Sequence, residues 1–154
     1  GREIAARKDR ATFDAEGQLV LSPLTEPTRD SEQVGFSSPA ISPDKRTVGW
    51  LALFPNCCTS YPIPLYLVLY AGGKSISLQG SGLPVWQWCF LEGGKQVAFE
   101  QETVHGGWGV HYELHDVRTG KLMAKYDPHT GADEQVDDDR GQRPDWVKAV
   151  DAAK

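Results

Sequence analysis

The sequence predicts an all-β chain: two tandem four-stranded antiparallel sheets packed together, with a short C-terminal helix, in one domain over residues 2–154. Three observations predict it. Apolar runs are short and rich in β-branched and aromatic residues. The 16 Gly and 10 Pro punctuate them at intervals too short for long helices. And one pattern occurs twice.

The elements follow in chain order. Residues 12–21, Thr12-Phe13-Asp14 through Gly17 to Leu21, form a partial hairpin, and residues 22–38, with Pro23 and Pro27, form a connecting loop. The first repeat covers 34–80 and the second 83–127. In the first, Pro39-Ala40-Ile41 leads into the polar turn Ser42-Pro43-Asp44-Lys45 and then Val48-Gly49-Trp50. In the second, Trp88-Cys89-Phe90-Leu91 leads into Glu92-Gly93-Gly94-Lys95 and then Val97-Ala98-Phe99. Each continues with an apolar strand, a Gly-Lys turn (Gly73-Lys74; Gly120-Lys121) and a last short strand. Residues 128–154 hold an acidic linker, with Asp137, Asp138 and Asp139 in a row, and a helix over 144–150. Pro144 suits a first helical turn, and Trp146 and Val150 share a face at i, i+4.

Composition narrows the function classes. The formal net charge of −5 and pI near 5.3 lack the basic face that a phosphate backbone requires, so no nucleic-acid partner is expected. No apolar run reaches the roughly 20 residues of a membrane-spanning helix, so no membrane partner is expected. Gly1 in place of Met reads as a cloning remnant, with a cleaved leader as the alternative. Cys57, Cys58 and Cys89 lack zinc-site spacing and read as free thiols, a disulfide being the minor alternative. No nucleophile elbow, phosphate loop, dinucleotide fingerprint or H-E-x-x-H is present.

The Ile41-Ser42-Pro43-Asp44-Lys45 turn followed by Val48-Gly49-Trp50 resembles TolB-like, WD40-like β-propeller repeats. So does the hairpin Leu114-His115-Asp116-Val117-Arg118-Thr119-Gly120-Lys121, which looks like the last one of such blades. The resemblance covers roughly residues 12–127. It departs from the family at Lys45, where Gly is usual, and in the second copy of the turn. Four strands in about 45–50 residues is the length of one blade, and a ring needs at least about four blades. Two and a half units therefore pack as two sheets, form a homodimer, or belong to a larger protein. The resemblance implies a protein-binding role in a periplasmic or secreted bacterial setting.

The most suggestive segment lies between Glu100 and Asp116. A hairpin turning at Gly106-Gly107 pairs Phe99 with Leu114, Gln101 with Tyr112 and Thr103 with Val110. The opposite face then carries His111, Glu113 and His115 with Glu100 and Glu102. Two imidazoles and a carboxylate suit a divalent transition metal, and Glu100 or Glu102 would complete the site, with Glu102 taken as its fourth member. The competing reading is a solvated sheet face with cross-strand Glu–His contacts. Trp86, Trp88 and Phe90 alternate along one strand and read as packing core. Trp108, flanked by Gly107 and Gly109, and Tyr61, in the proline-stiffened loop 54–64, are the candidate ligand contacts. The leading expectation is a non-catalytic binding or protein-interaction module needing no cofactor. A metal-dependent enzyme using the Glu/His set and a carbohydrate-binding module are the alternatives.

Overall fold

The computed structural model describes residues 3–6, 9–13, 19–23, 33–106, 109–128 and 142–153, the first three stretches as backbone. The acidic run 133–139 and Trp108 lie outside the described residues. The fold is mostly β, and the chain divides into two compact units, Gly1–Gln79 and Gly80–Lys154. Among the described residues no helix is long and apolar enough to cross a membrane.

In the first unit, β1 (Glu3–Ala6), β2 (Asp9–Phe13) and β3 (Leu19–Pro23) form a three-stranded antiparallel sheet in chain order. The expected hairpin is its β2–β3 pair, which extends from Phe13 opposite Leu19 to Asp9 opposite Pro23. β1 has no strand signal in the sequence, because Glu3-Ile4-Ala5-Ala6 carries one large apolar residue and no alternation.

The first repeat forms β4 (Gly35–Ile41), β5 (Val48–Phe54), β6 (Ile63–Ala71) and β7 (Lys74–Leu78), each beside its chain neighbour. β4 claims the end of the segment expected as a loop. Period-two alternation puts Val48, Trp50, Ala52 and Phe54 on one face. Trp50, Ala52 and Val68 are buried there, with Phe36, Tyr66 and Tyr70 packed against them. Leu51, Leu67, Leu69 and Leu78 occupy the other face and are buried too. Burial on both faces explains why β5 and β6 read as nearly continuous apolar runs.

The β4–β5 turn owes its form to Ser42 and Asp44. The buried Ser42 hydroxyl donates to Asp44 Oδ1 at 2.5 Å and accepts from the Thr47 amide at 3.0 Å. Asp44 Oδ1 also accepts from the Arg46 amide at 3.1 Å. Lys45 between them has φ +58°, a left-handed conformation that costs a side chain about 1–2 kcal/mol. Lys45→Gly is therefore expected to stabilise the protein by about 0.5–1 kcal/mol, the gain being reduced by the freer unfolded chain. A urea midpoint that falls instead would contradict this.

The second unit repeats the meander with β8 (Val85–Leu91), β9 (Gln96–Gln101), β10 (His111–Asp116) and β11 (Leu122–Tyr126). The helix α1 spans Asp145–Asp151, with Pro144 at its start. It buries Val147 and Val150 at i, i+3 against Ala98, Tyr112 and Leu114, and Trp146 packs beside them. The expected Trp146–Val150 face is thus centred one residue further on, at Val147.

The aromatic stripe is corrected. A bulge between Val85 and Gln87 sets Val85 opposite Gln101 and Trp88 opposite Phe99. Val85, Trp88 and Phe90 therefore share a face, and Trp86 is the inserted residue. Its indole N–H donates to the Glu102 carbonyl at 3.0 Å. Trp88 is buried and meets Phe90 edge-on at 5.1 Å, as core residues do.

Under α1, the buried Tyr112 hydroxyl donates to Asp151 Oδ1 at 2.8 Å, and Arg143 pairs with Asp151 Oδ2 at 2.9 Å. Burial first, then the hydrogen bond to Asp151 and the nearby charge of Glu100, raises the Tyr112 pKa above the usual tyrosine value. The unfolded phenol thus ionises while the folded one keeps its proton. Stability is full below about pH 10 and falls above it, by up to about 1.4 kcal/mol per pH unit for this one proton, until the folded phenol ionises too. Tyr112→Phe is expected to flatten that alkaline decline by one proton, measured as unfolding free energy between about pH 9 and 11. An unchanged slope would refute the assignment.

Candidate functional site

His111, Glu113 and His115 alternate along β10 and point to one face, as their spacing predicts. The structure joins them into a chain of hydrogen bonds. His111 Nε2 lies 2.8 Å from Glu113 Oε1, and His115 Nε2 lies 2.6 Å from Glu113 Oε2. The outer ring nitrogens have partners too. His111 Nδ1 meets Asp127 Oδ1 at 2.5 Å, and His115 Nδ1 donates to the Gly120 carbonyl at 2.9 Å. The His111, Glu113 and His115 side chains are 12%, 10% and 8% exposed, against 61% for Asp127, so the chain opens to solvent at its Asp127 end.

The β10–β11 turn sets the outer partners. Asp116 Oδ1 accepts from the Thr119 amide and hydroxyl, both at 2.8 Å. Gly120, at φ +71°, returns its amide to the Asp116 carbonyl at 2.8 Å. That leaves the Gly120 carbonyl facing His115. Phe99 stacks on the His115 ring at 5.4 Å with planes 18° apart, closing its inner side.

Hydrogen bookkeeping constrains the charge. The Gly120 carbonyl can only accept, so His115 carries its proton on Nδ1. Neutral imidazoles and ionised carboxylates do not bring enough protons to fill all the contacts. Burial opposes a charge on His111, but hydrogen bonds to Asp127 and Glu113 favour it and hold its pKa above the usual histidine value.

The expected fourth member is not placed with the others. β9 and β10 pair Phe99 with Glu113 and Gln101 with His111, one residue away from the expected register. Glu100 is therefore opposite Tyr112, on the α1 side. Glu102 lies past the end of β9, its carboxylate near Gly106, where an added Cβ would meet Oε1 at 3.5 Å. The reason is tertiary: α1 offers an apolar cover to Tyr112 and Leu114, so these turn toward it. Among the described residues no group of three or more His, Cys, Asp or Glu stands arranged to hold a metal ion. The imidazole Nε2 atoms and the Glu113 oxygens are engaged with one another.

Two participants carry no signal in the sequence. Asp127 and Gly120 lie outside the alternation of β10, and only the β10–β11 hairpin register brings them to it. Gln101 reads in the sequence as a residue of an ordinary sheet face, yet it is fully buried and clamps the preceding segment. Its Oε1 accepts from the Ser81 amide at 2.8 Å and hydroxyl at 3.1 Å, and its Nε2 donates to the Leu83 carbonyl at 2.5 Å.

The loop holding Tyr61 is organised by Asn56. Asn56 Oδ1 accepts from the Cys58 and Thr59 amides, each at 2.9 Å, and its Nδ2 donates to the Tyr61 carbonyl at 3.1 Å. Tyr61 itself is 51% exposed. Cys57 and Cys58 are joined by a disulfide between adjacent residues, which corrects the free-thiol expectation for this pair. Cys89 is free, and burial pushes its thiol pKa up. No family model matches the chain, and no curated protein or solved structure does.

Proposed function

We propose that the chain is a non-catalytic binding module of propeller-repeat type that engages a protein partner. The observation that carries this reading is the pair of successive four-stranded meanders, each strand beside its chain neighbour, as in propeller blades. One further feature supports it. The Asn56-ordered loop presents Tyr61, a side chain that supplies contact area at low entropic cost. The Cys57–Cys58 disulfide supports an oxidising, periplasmic or secreted setting.

Photo-crosslinking tests the proposal. A benzophenone amino acid replaces Tyr61, with a second chain labelled at the exposed Lys45 as control. The expected result is one protein adduct from position 61 alone, competed away by excess unlabelled chain and not by the Tyr61→Ala variant. Adducts that are the same from both positions, or that Tyr61→Ala competes equally well, would overturn it.

A further inference from the structure

We propose that His111, Glu113 and His115 form a three-ligand site for a divalent transition metal, with Asp127 and the Gly120 carbonyl as its outer partners. The inference does not depend on the binding-module reading. Two independent features of the geometry carry it.

The first is convergence. Both imidazoles direct the same ring atom, Nε2, at the two oxygens of one carboxylate, at 2.8 and 2.6 Å. The second is orientation. A metal-binding imidazole characteristically donates its other N–H to a carboxylate or a backbone carbonyl, which fixes the tautomer and aims the lone pair. Here His111 Nδ1 faces the Asp127 carboxylate and His115 Nδ1 faces the Gly120 carbonyl, one partner of each kind.

Hydrogen bonds close the chain in this structure. Metal–ligand bonds of about 2.0–2.2 Å in tetrahedral array set ligand atoms about 3.3–3.5 Å apart. The present separations are shorter, at 2.6 and 2.8 Å, so Glu113 has to draw back to admit an ion. That is a side-chain adjustment, with β10 held on both edges by β9 and β11. Two imidazoles with one carboxylate favour zinc, cobalt, nickel or iron over magnesium or calcium. Three protein ligands leave a fourth position for water or a partner's side chain. Glu102 has no part in it.

The test uses the untagged full chain, stripped with chelator and titrated with cobalt(II) and zinc(II). Calorimetry gives stoichiometry and affinity, and the visible d–d absorption of cobalt reports its ligands. The expected result is one equivalent bound with the intense bands of a low-coordinate site, lost in His111→Ala and unchanged in Glu102→Gln. Asp127→Asn, at an exposed position that folding tolerates, is expected to weaken binding about 10–100-fold. If His111→Ala fails to fold by circular dichroism, Asp127→Asn decides. No uptake by the folded chain would overturn the proposal. So would uptake that neither variant weakens, since that is adventitious binding elsewhere on the surface.

Discussion

Gly80→Ala is expected to destabilise the second unit by about 2–5 kcal/mol, from left-handed strain and overpacking together. Gly80 has φ +57°, and a Cβ there would stand 2.1 Å from Gln101 Oε1, 2.8 Å from its Cδ and 2.9 Å from Phe99 Cε2. Neither neighbour can yield cheaply. Phe99 is fully buried, and Gln101 is held by its bonds to Ser81 and Leu83. Moving the amide strands a buried donor or acceptor, at about 1–3 kcal/mol each. Gly72→Ala separates the two causes, since Gly72 has φ +56° and nothing within 4 Å of the added Cβ. It is expected to cost only the strain, about 1–2 kcal/mol. Urea unfolding, with hydrogen exchange of the β8–β10 amides to localise the loss, measures both. Equal costs at the two glycines would mean that the Gln101 clamp yields freely and that this account of it is wrong.

Val147→Asp is expected to release α1 and cost about 3–5 kcal/mol. Val147 is fully buried among Ala98, Tyr112, Leu114 and Val150. A carboxylate there is left without a partner in an apolar cluster, and the chain avoids this by undocking the helix. Seven residues do not sustain a helix in water, so the segment melts once it leaves the sheet. The Tyr112–Asp151 and Arg143–Asp151 contacts go with it. Hydrogen exchange over 145–151 should lose its protection, and the urea midpoint should fall. Lys148→Ala, on the outer side of the same helix, is expected to change stability by less than about 0.5 kcal/mol. Protection over 145–151 that survives Val147→Asp would show that this contact does not hold the helix.

These variants probe the features that are hardest to read in the sequence. Gly80 and Gln101 lie about 20 residues apart in unrelated contexts, and neither local propensity nor alternation links them. The same holds for His111 and Asp127, which are 16 residues apart. Ser42, Asp44 and Thr47 are legible as a turn because a short-range side-chain bond defines that turn. The His111, Glu113 and His115 trio is legible because alternation along one strand is a local rule.

The sequence by itself determined the strands of both repeats, their turns, the start of α1 and the shared face of His111, Glu113 and His115. Each follows from interactions within a few residues: period-two alternation, turn chemistry and the fixed φ of Pro144. Only the tertiary structure decided the β9–β10 register, the bulge at Trp86, the Gln101 clamp and the joining of Asp127 and Gly120 to the histidines. Register has no local determinant here. Shifting it by one residue exchanges Tyr112 and Leu114 for His111, Glu113 and His115 on the helix side of the sheet. What selects between the two is the apolar cover supplied by Val147 and Val150, which lie far along the chain from the strand they cover.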